Sequence, residues 1–123
     1  MKLQDAFMIL DNNYNCKKNS FIYELHEHCK FDNILFWQYY DCIICIAKNQ
    51  KTKKESKEIS LRITCSYQAI LRLIIANLDN NDFYKIKNFP KNYNDYLERL
   101  DYAIKEAYFK QVFIDENLFE LQK

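Results

Sequence analysis

Apolar side chains recur along this chain at spacings of three and four, interrupted by short polar clusters, and each interruption marks the end of a predicted helix. Leu3, Phe7 and Leu10 share one helical face, and Asp11-Asn12-Asn13 follows with turn-forming side chains, which predicts a short first helix over residues 3–10. Asn19-Ser20 offers an N-cap for a second helix carrying Phe21, Ile22, Leu25 and Cys29, with Glu24 in its first turns. Asp32 then caps a third, from Asn33 to about Asn49. Its apolar residues, Ile34 to Trp37, Tyr39, Tyr40, Ile43, Ile44 and Ile46, cover nearly the whole circumference, the mark of a central helix.

Five Lys and one Glu, with no large apolar side chain, fill the run from Lys48 to Lys57, which reads as an exposed Lys-rich loop. Two periods compete from Glu58 to Leu78. Ile59, Leu61, Ile63, Cys65 and Tyr67 alternate as a strand would, whereas Ile59, Ile63, Tyr67, Ile70, Ile74 and Leu78 keep helical spacing for longer. Helix is therefore the preferred reading, with a hairpin of residues 39–47 and 59–67 as the alternative. Asp79-Asn80-Asn81-Asp82 closes this element, and Phe83 to Lys91 forms an irregular link containing Pro90. A last helix starts at Asn92 or Asn94. Tyr93, Tyr96, Leu97, Leu100, Ile104, Ala107, Tyr108 and Val112 form its stripe, while Asp95, Glu98, Arg99, Asp101, Lys105 and Glu106 lie mainly off it. Asp101 with Lys105 and Glu106 with Lys110 are favourable pairs four apart. Residues 115–123 read as an acidic, frayed tail. The expected fold is all-α: one compact domain over residues 1–123, a bundle of about five helices; an α+β fold with the hairpin is the alternative.

Composition strengthens this reading. There is no Gly and only one Pro, so the chain lacks the residues that tight hairpins and phosphate loops require. The same absence rules out a Walker loop, a dinucleotide fingerprint and a Gly-x-Ser-x-Gly elbow. Hydrophobic residues make up 49% of the chain and aromatics 16%, enough for a core without metals or disulfides. Five Cys is an odd number, and Cys42, Cys45 and Cys65 sit in apolar stretches as reduced core thiols would, in keeping with a cytoplasmic protein. Asp5 and the lack of a long apolar run at the start predict neither a signal peptide nor a membrane span there.

Candidate chemistry is sparse. Cys42-Ile43-Ile44-Cys45 has the spacing of half a zinc site and His26-Glu27-His28-Cys29 could supply other ligands, but the Cys pair lies in the most hydrophobic segment of the chain. His26 or His28 beside a thiol would be a nucleophile–base pair, though nothing in the spacing specifies that geometry. No catalytic residue, metal or cofactor is therefore assigned, and the chain reads as a non-enzyme. A formal charge of +1 and only three Arg argue against nucleic acid as the main partner. A nucleic-acid-binding or regulatory helical protein of a phage or mobile element, using Lys48 to Lys57, is kept as an alternative, and so is a self-associating helical structural protein.

What remains is binding. Ten Tyr provide rigid amphipathic contact area, and from Asp79 onward nine acids face seven bases. Asp79, Asp82, Asp95, Glu98, Asp101 and Glu106 are the candidate partner-binding residues, because outward carboxylates can mimic phosphates toward a basic cleft. In Asn77-Leu78-Asp79-Asn80-Asn81-Asp82-Phe83-Tyr84, in Asn92-Tyr93-Asn94-Asp95-Tyr96-Leu97-Glu98-Arg99-Leu100-Asp101-Tyr102, and in its size and Asn/Lys/Tyr/Ile-rich usage, the chain resembles the small immunity proteins of bacterial contact-dependent growth inhibition and related polymorphic toxin systems. The resemblance implies a cytoplasmic, non-catalytic protein that binds one cognate toxin domain, often a nuclease. These proteins share no common motif, so it assigns no residue.

Overall fold

A computed structural model describes residues 1–49 and 53–123, with side chains in the fourth helix described from Lys57 onward. Five α-helices run in the order α1 (Leu3–Tyr14), α2 (Phe21–Glu27), α3 (Asn33–Lys48), α4 (Lys53–Leu78) and α5 (Tyr93–Asp101). A π-helix (Tyr102–Phe109) continues α5, and one 3-10 turn (Glu116–Leu118) lies near the C-terminus. Among the described residues there is no strand. The only ladder-like contact among them is an isolated parallel bridge between Lys30 and Lys87, and residues 59–67 lie within α4, so the hairpin does not form. The helical period prevails there because it places Ile63, Ser66, Ile70 and Ile74 on one inward stripe.

The capping signals act where the sequence places them. Ser20 Oγ accepts from Tyr23 N at 3.2 Å, and Asp32 Oδ1 accepts from Leu35 N at 3.0 Å. α3 is the central helix. Phe36, Trp37, Tyr39, Tyr40, Cys42, Ile43, Ile44, Ile46 and Ala47 are all buried, and α1 and the π-helix pack against it. Each such aliphatic or aromatic side chain contributes about 1.5–3 kcal/mol by leaving water. α4 packs on α1 and α2 instead. By length and composition its segment Lys57–Leu78 could cross a membrane, with mean hydropathy 1.3, but it is an amphipathic helix with one stripe in the core.

Several boundaries differ from the sequence reading, each for a tertiary reason. α1 passes through Asp11-Asn12-Asn13 because the Asn13 amide is buried and used at both ends: Nδ2 donates to Ile9 O at 2.9 Å, and Oδ1 accepts from Ile22 N at 3.1 Å. Of the Lys-rich run from Lys48 to Lys57, residues 50–52 lie outside the described residues, Lys48 ends α3, and Lys53 to Lys57 already belong to α4. The last helix changes pitch at Tyr102. Tyr102 and Ala107, like Ala103 and Tyr108, are five apart, so i→i+5 winding keeps both pairs on the buried side of the helix. Val112, placed on the stripe by its period, falls beyond this helix and is exposed.

The C-terminal segment is docked, not frayed. Arg99, expected on the solvated side of its helix, is 2% exposed. Its guanidinium lies 5.1 Å from the ring centroid of Trp37, 4.8 Å from that of Tyr40 and 4.5 Å from that of Phe119. Its Nη2 donates to Glu116 Oε1 at 2.8 Å, and Nη1 donates to the carbonyls of Glu116 and Leu121. Lys123 pairs with Asp41 at 2.6 Å, and so the terminus is fastened twice.

A chain without Gly still needs left-handed residues. Among the described residues five non-Gly positions fill that role: Cys16 (φ 52°), Asn19 (67°), Cys29 (50°), Asn88 (59°) and Gln111 (57°). Asn tolerates this conformation best, and the others carry a steric cost. Gln111 offsets it with its side chain, whose Nε2 donates to Ala47 O, Ala107 O and Tyr108 O, closing the ends of α3 and the π-helix together.

Candidate partner-binding surface

The six acids singled out by sequence do not gather on one face. Asp95, Glu98 and Asp101 follow one another at spacings of three along α5, and Glu106 lies one turn further in the π-helix. Three of these four are engaged within the fold. Asp101 Oδ1 accepts from the Tyr67 hydroxyl at 2.6 Å, binding α5 to α4 in place of the Asp101–Lys105 pair, and Glu106 pairs with Lys110 at 3.4 Å. Burial, and then the Asp101 carboxylate, raises the Tyr67 pKa and keeps its hydroxyl a donor. Glu98 accepts from Asn94, and among the described residues no hydrogen bond or ion pair joins this group to Asp79 or Asp82.

Asp79 and Asp82 shape the link after α4. Asp79 Oδ1 accepts from Asn81 N at 2.9 Å, Asp82 Oδ1 accepts from Tyr84 N at 2.8 Å, and Asp82 N donates to Asp79 O. These are two consecutive Asx turns, each leaving its second carboxylate oxygen toward solvent. The link is pinned on both sides. Lys85 Nζ donates to the carbonyls of Asn77 and Asp79, Ile86 N donates to Asn77 Oδ1 at 2.7 Å, and the Tyr84 hydroxyl donates to Leu25 O in α2. Burial, with Cys29 second, pushes the Tyr84 pKa up to about 12.

Immediately after Asp82 stands Phe83, fully exposed at 102%. A Phe held in water by a hydrogen-bonded turn gains nothing for the fold, and Ile75 and Leu78 are likewise exposed on the last turns of α4. Sequence reasoning placed Phe83 in an irregular link and gave it no role. The available signal was an aromatic directly after the polar turn Asp79-Asn80-Asn81-Asp82. A second apolar row also escaped notice. Phe109, Val112, Phe113, Ile114 and Leu118 are all exposed in the segment fixed by Gln111, by Ile114 N donating to the Tyr102 hydroxyl, and by the Arg99–Glu116 pair.

The residues with metal or nucleophile character are spread over the helices. Cys42 is wholly buried, and burial raises its thiol pKa well above the ordinary value; Cys45 donates to Met1 O. His26 pairs with Glu27 at 3.0 Å and His28 with Glu24 at 2.8 Å, both on exposed surface. Among the described residues no three His, Cys, Asp or Glu side chains are arranged to hold a metal. One cleft of about 480 Å³ opens between the end of α1, α2 and the middle of α4, bordered by Cys16, His26, Cys65 and Arg72. Compared with protein-family models, with curated proteins and with solved structures, the chain matches none.

Proposed function

We propose that this chain is a non-catalytic immunity protein that binds a cognate bacterial toxin domain, a nuclease by preference, and covers its working surface in the cytoplasm. The observation that carries the reading is Phe83, fully exposed on a turn that is rigid before any partner arrives. Binding hot spots are aromatic anchors that enter a pocket while polar neighbours exclude water around them. A preformed turn also avoids the ordering cost that flexible loops incur on association. Asp79 and Asp82 precede the anchor in the same link as exposed carboxylates, and Ile75 and Leu78 are exposed apolar residues on the helix that leads into it. That combination suits a partner with an apolar pocket in a basic surface, such as the phosphate-binding cleft of a nuclease.

The row Phe109, Val112, Phe113, Ile114 and Leu118 favours a second reading, a self-associating helical protein. The two readings separate experimentally. Tagged protein is used to capture partners from its host, and the captured protein is expressed alone and together with this chain. The immunity reading requires one stoichiometric partner that arrests growth alone and is silenced by co-expression. Phe83→Asp then weakens binding by roughly 30-fold or more, the scale of a hot-spot residue. Asp79→Asn with Asp82→Asn retains the turn-forming Oδ1 acceptors and slows association most at low salt. Undiminished binding by Phe83→Asp removes the basis of this reading, and a mass that rises with concentration and falls on Phe113→Asp supports self-association.

A further inference from the structure

We propose that the cleft between the end of α1, α2 and the middle of α4 binds a small amphipathic carboxylate, its apolar body over Ile22, Ala69 and Leu73 and its head on the Arg72 guanidinium. The volume, about 480 Å³, lies within the range of small-molecule pockets. The polar groups buried in its wall are already used by the fold. Asn13 bonds Ile9 O and Ile22 N, and the Ser66 hydroxyl bonds Tyr39 and Ile63 O. A ligand body therefore meets surface that seeks no hydrogen bonds, which selects hydrocarbon or an aromatic ring.

Charge selects the head group. His26 and Glu27 border the cleft but face each other at 3.0 Å. Arg62 is paired with Asp11 and Glu58, and Arg99 with Glu116. Arg72, by contrast, makes no ion pair or hydrogen bond among the described residues. It is the one Arg with an uncommitted fork, and a carboxylate matches that fork in two parallel bonds. A sulfonate or phosphate monoester would answer the same charge, but a planar carboxylate on an apolar body needs the least room at the rim.

Four of the five cysteines make the test internally controlled. Cys16 and Cys65 line the cleft; Cys29 and Cys45 are comparably half-buried elsewhere. The full chain is alkylated with iodoacetamide at a pH of roughly 8.5, high enough to populate thiolate, with decanoate or the neutral decan-1-ol present. Rates are read at each Cys by mass spectrometry. Decanoate is expected to slow Cys16 and Cys65 several-fold and to leave Cys29 and Cys45 unchanged. Arg72→Gln, at an exposed position that does not support the core, is expected to weaken the decanoate effect about ten-fold in concentration, the scale of one charge-assisted contact, while leaving the decanol effect in place. Ala69→Trp, checked for native circular dichroism, fills the cleft and abolishes both. Equal slowing at all four thiols, no slowing at any, or a decanoate effect indifferent to Arg72→Gln overturns the proposal.

Discussion

Replacing Arg99 with Ala tests whether the C-terminal segment is part of the fold. The side chain is buried among the rings of Trp37, Tyr40 and Phe119 and donates to Glu116 Oε1 and to two backbone carbonyls. Removing one partner of a buried ion pair costs about 3–5 kcal/mol, because the survivor is left uncompensated. Here the survivor, Glu116, is one-third exposed and keeps the hydrogen bond from the Tyr40 hydroxyl, so water recovers part of the loss. Loss of the cation–π contacts and the vacated volume act in the opposite direction. The balance is about 3 kcal/mol, which for a domain of this size lowers Tm by roughly 12 °C. Urea unfolding followed by circular dichroism measures the first, and carboxypeptidase digestion reports separately on release of residues 115–123. Arg99→Met with Glu116→Gln, which refills the site with neutral groups, is expected to recover most of the stability. A loss below about 1 kcal/mol for Arg99→Ala, with the tail still protected, would refute the argument, since it would mean that the guanidinium is solvated in solution.

Asp32→Ala removes the cap of the central helix and is expected to cost about 1 kcal/mol in urea unfolding, whereas Asp32→Asn, which keeps an acceptor, costs only a few tenths. Cys29→Gly should stabilise by about 0.5 kcal/mol, relief of left-handed strain exceeding the added freedom of the unfolded chain, while Gln111→Gly should destabilise by about 1 kcal/mol through its lost carbonyl bonds; a lowered Tm for Cys29→Gly or an unchanged or raised Tm for Gln111→Gly would contradict this. Burial raises the pKa of Tyr39, Tyr40, Tyr67 and Tyr84, so the folded state holds protons that the unfolded state releases near pH 10. Stability is thus intact below about pH 10 and falls as pH rises toward the folded values, about 12 for Tyr84. Phenolate absorbance should show these four ionising only with unfolding, and simple titration of all ten Tyr near pH 10 would contradict it.

The surface was less legible than the helices. Asp79 and Asp82 were identified by charge, yet their oxygens first build the turn that lifts Phe83 into solvent, and charge counting does not reveal a turn's geometry. Asp101 and Glu106 drew attention for the same reason and prove to be held by Tyr67 and Lys110. Phe83 carries the proposed contact, but an exposed aromatic and a core aromatic are the same letter until burial is known.

By itself the sequence determined what depends on neighbours a few residues apart. The helical class, the caps at Ser20 and Asp32, and the centrality of α3 follow from side-chain periods and from donors that local acceptors must satisfy. Tertiary structure alone decided which polar residues go inside. Arg99 enters the core because three rings and Glu116, distant in sequence, surround it, and Asn13 carries α1 past a stop signal because Ile22 N meets its amide. The switch to π winding at Tyr102 is the same kind of event. Its i→i+5 register is chosen by the surface of α3 against which the π-helix must pack, and no period read along one helix contains the shape of another.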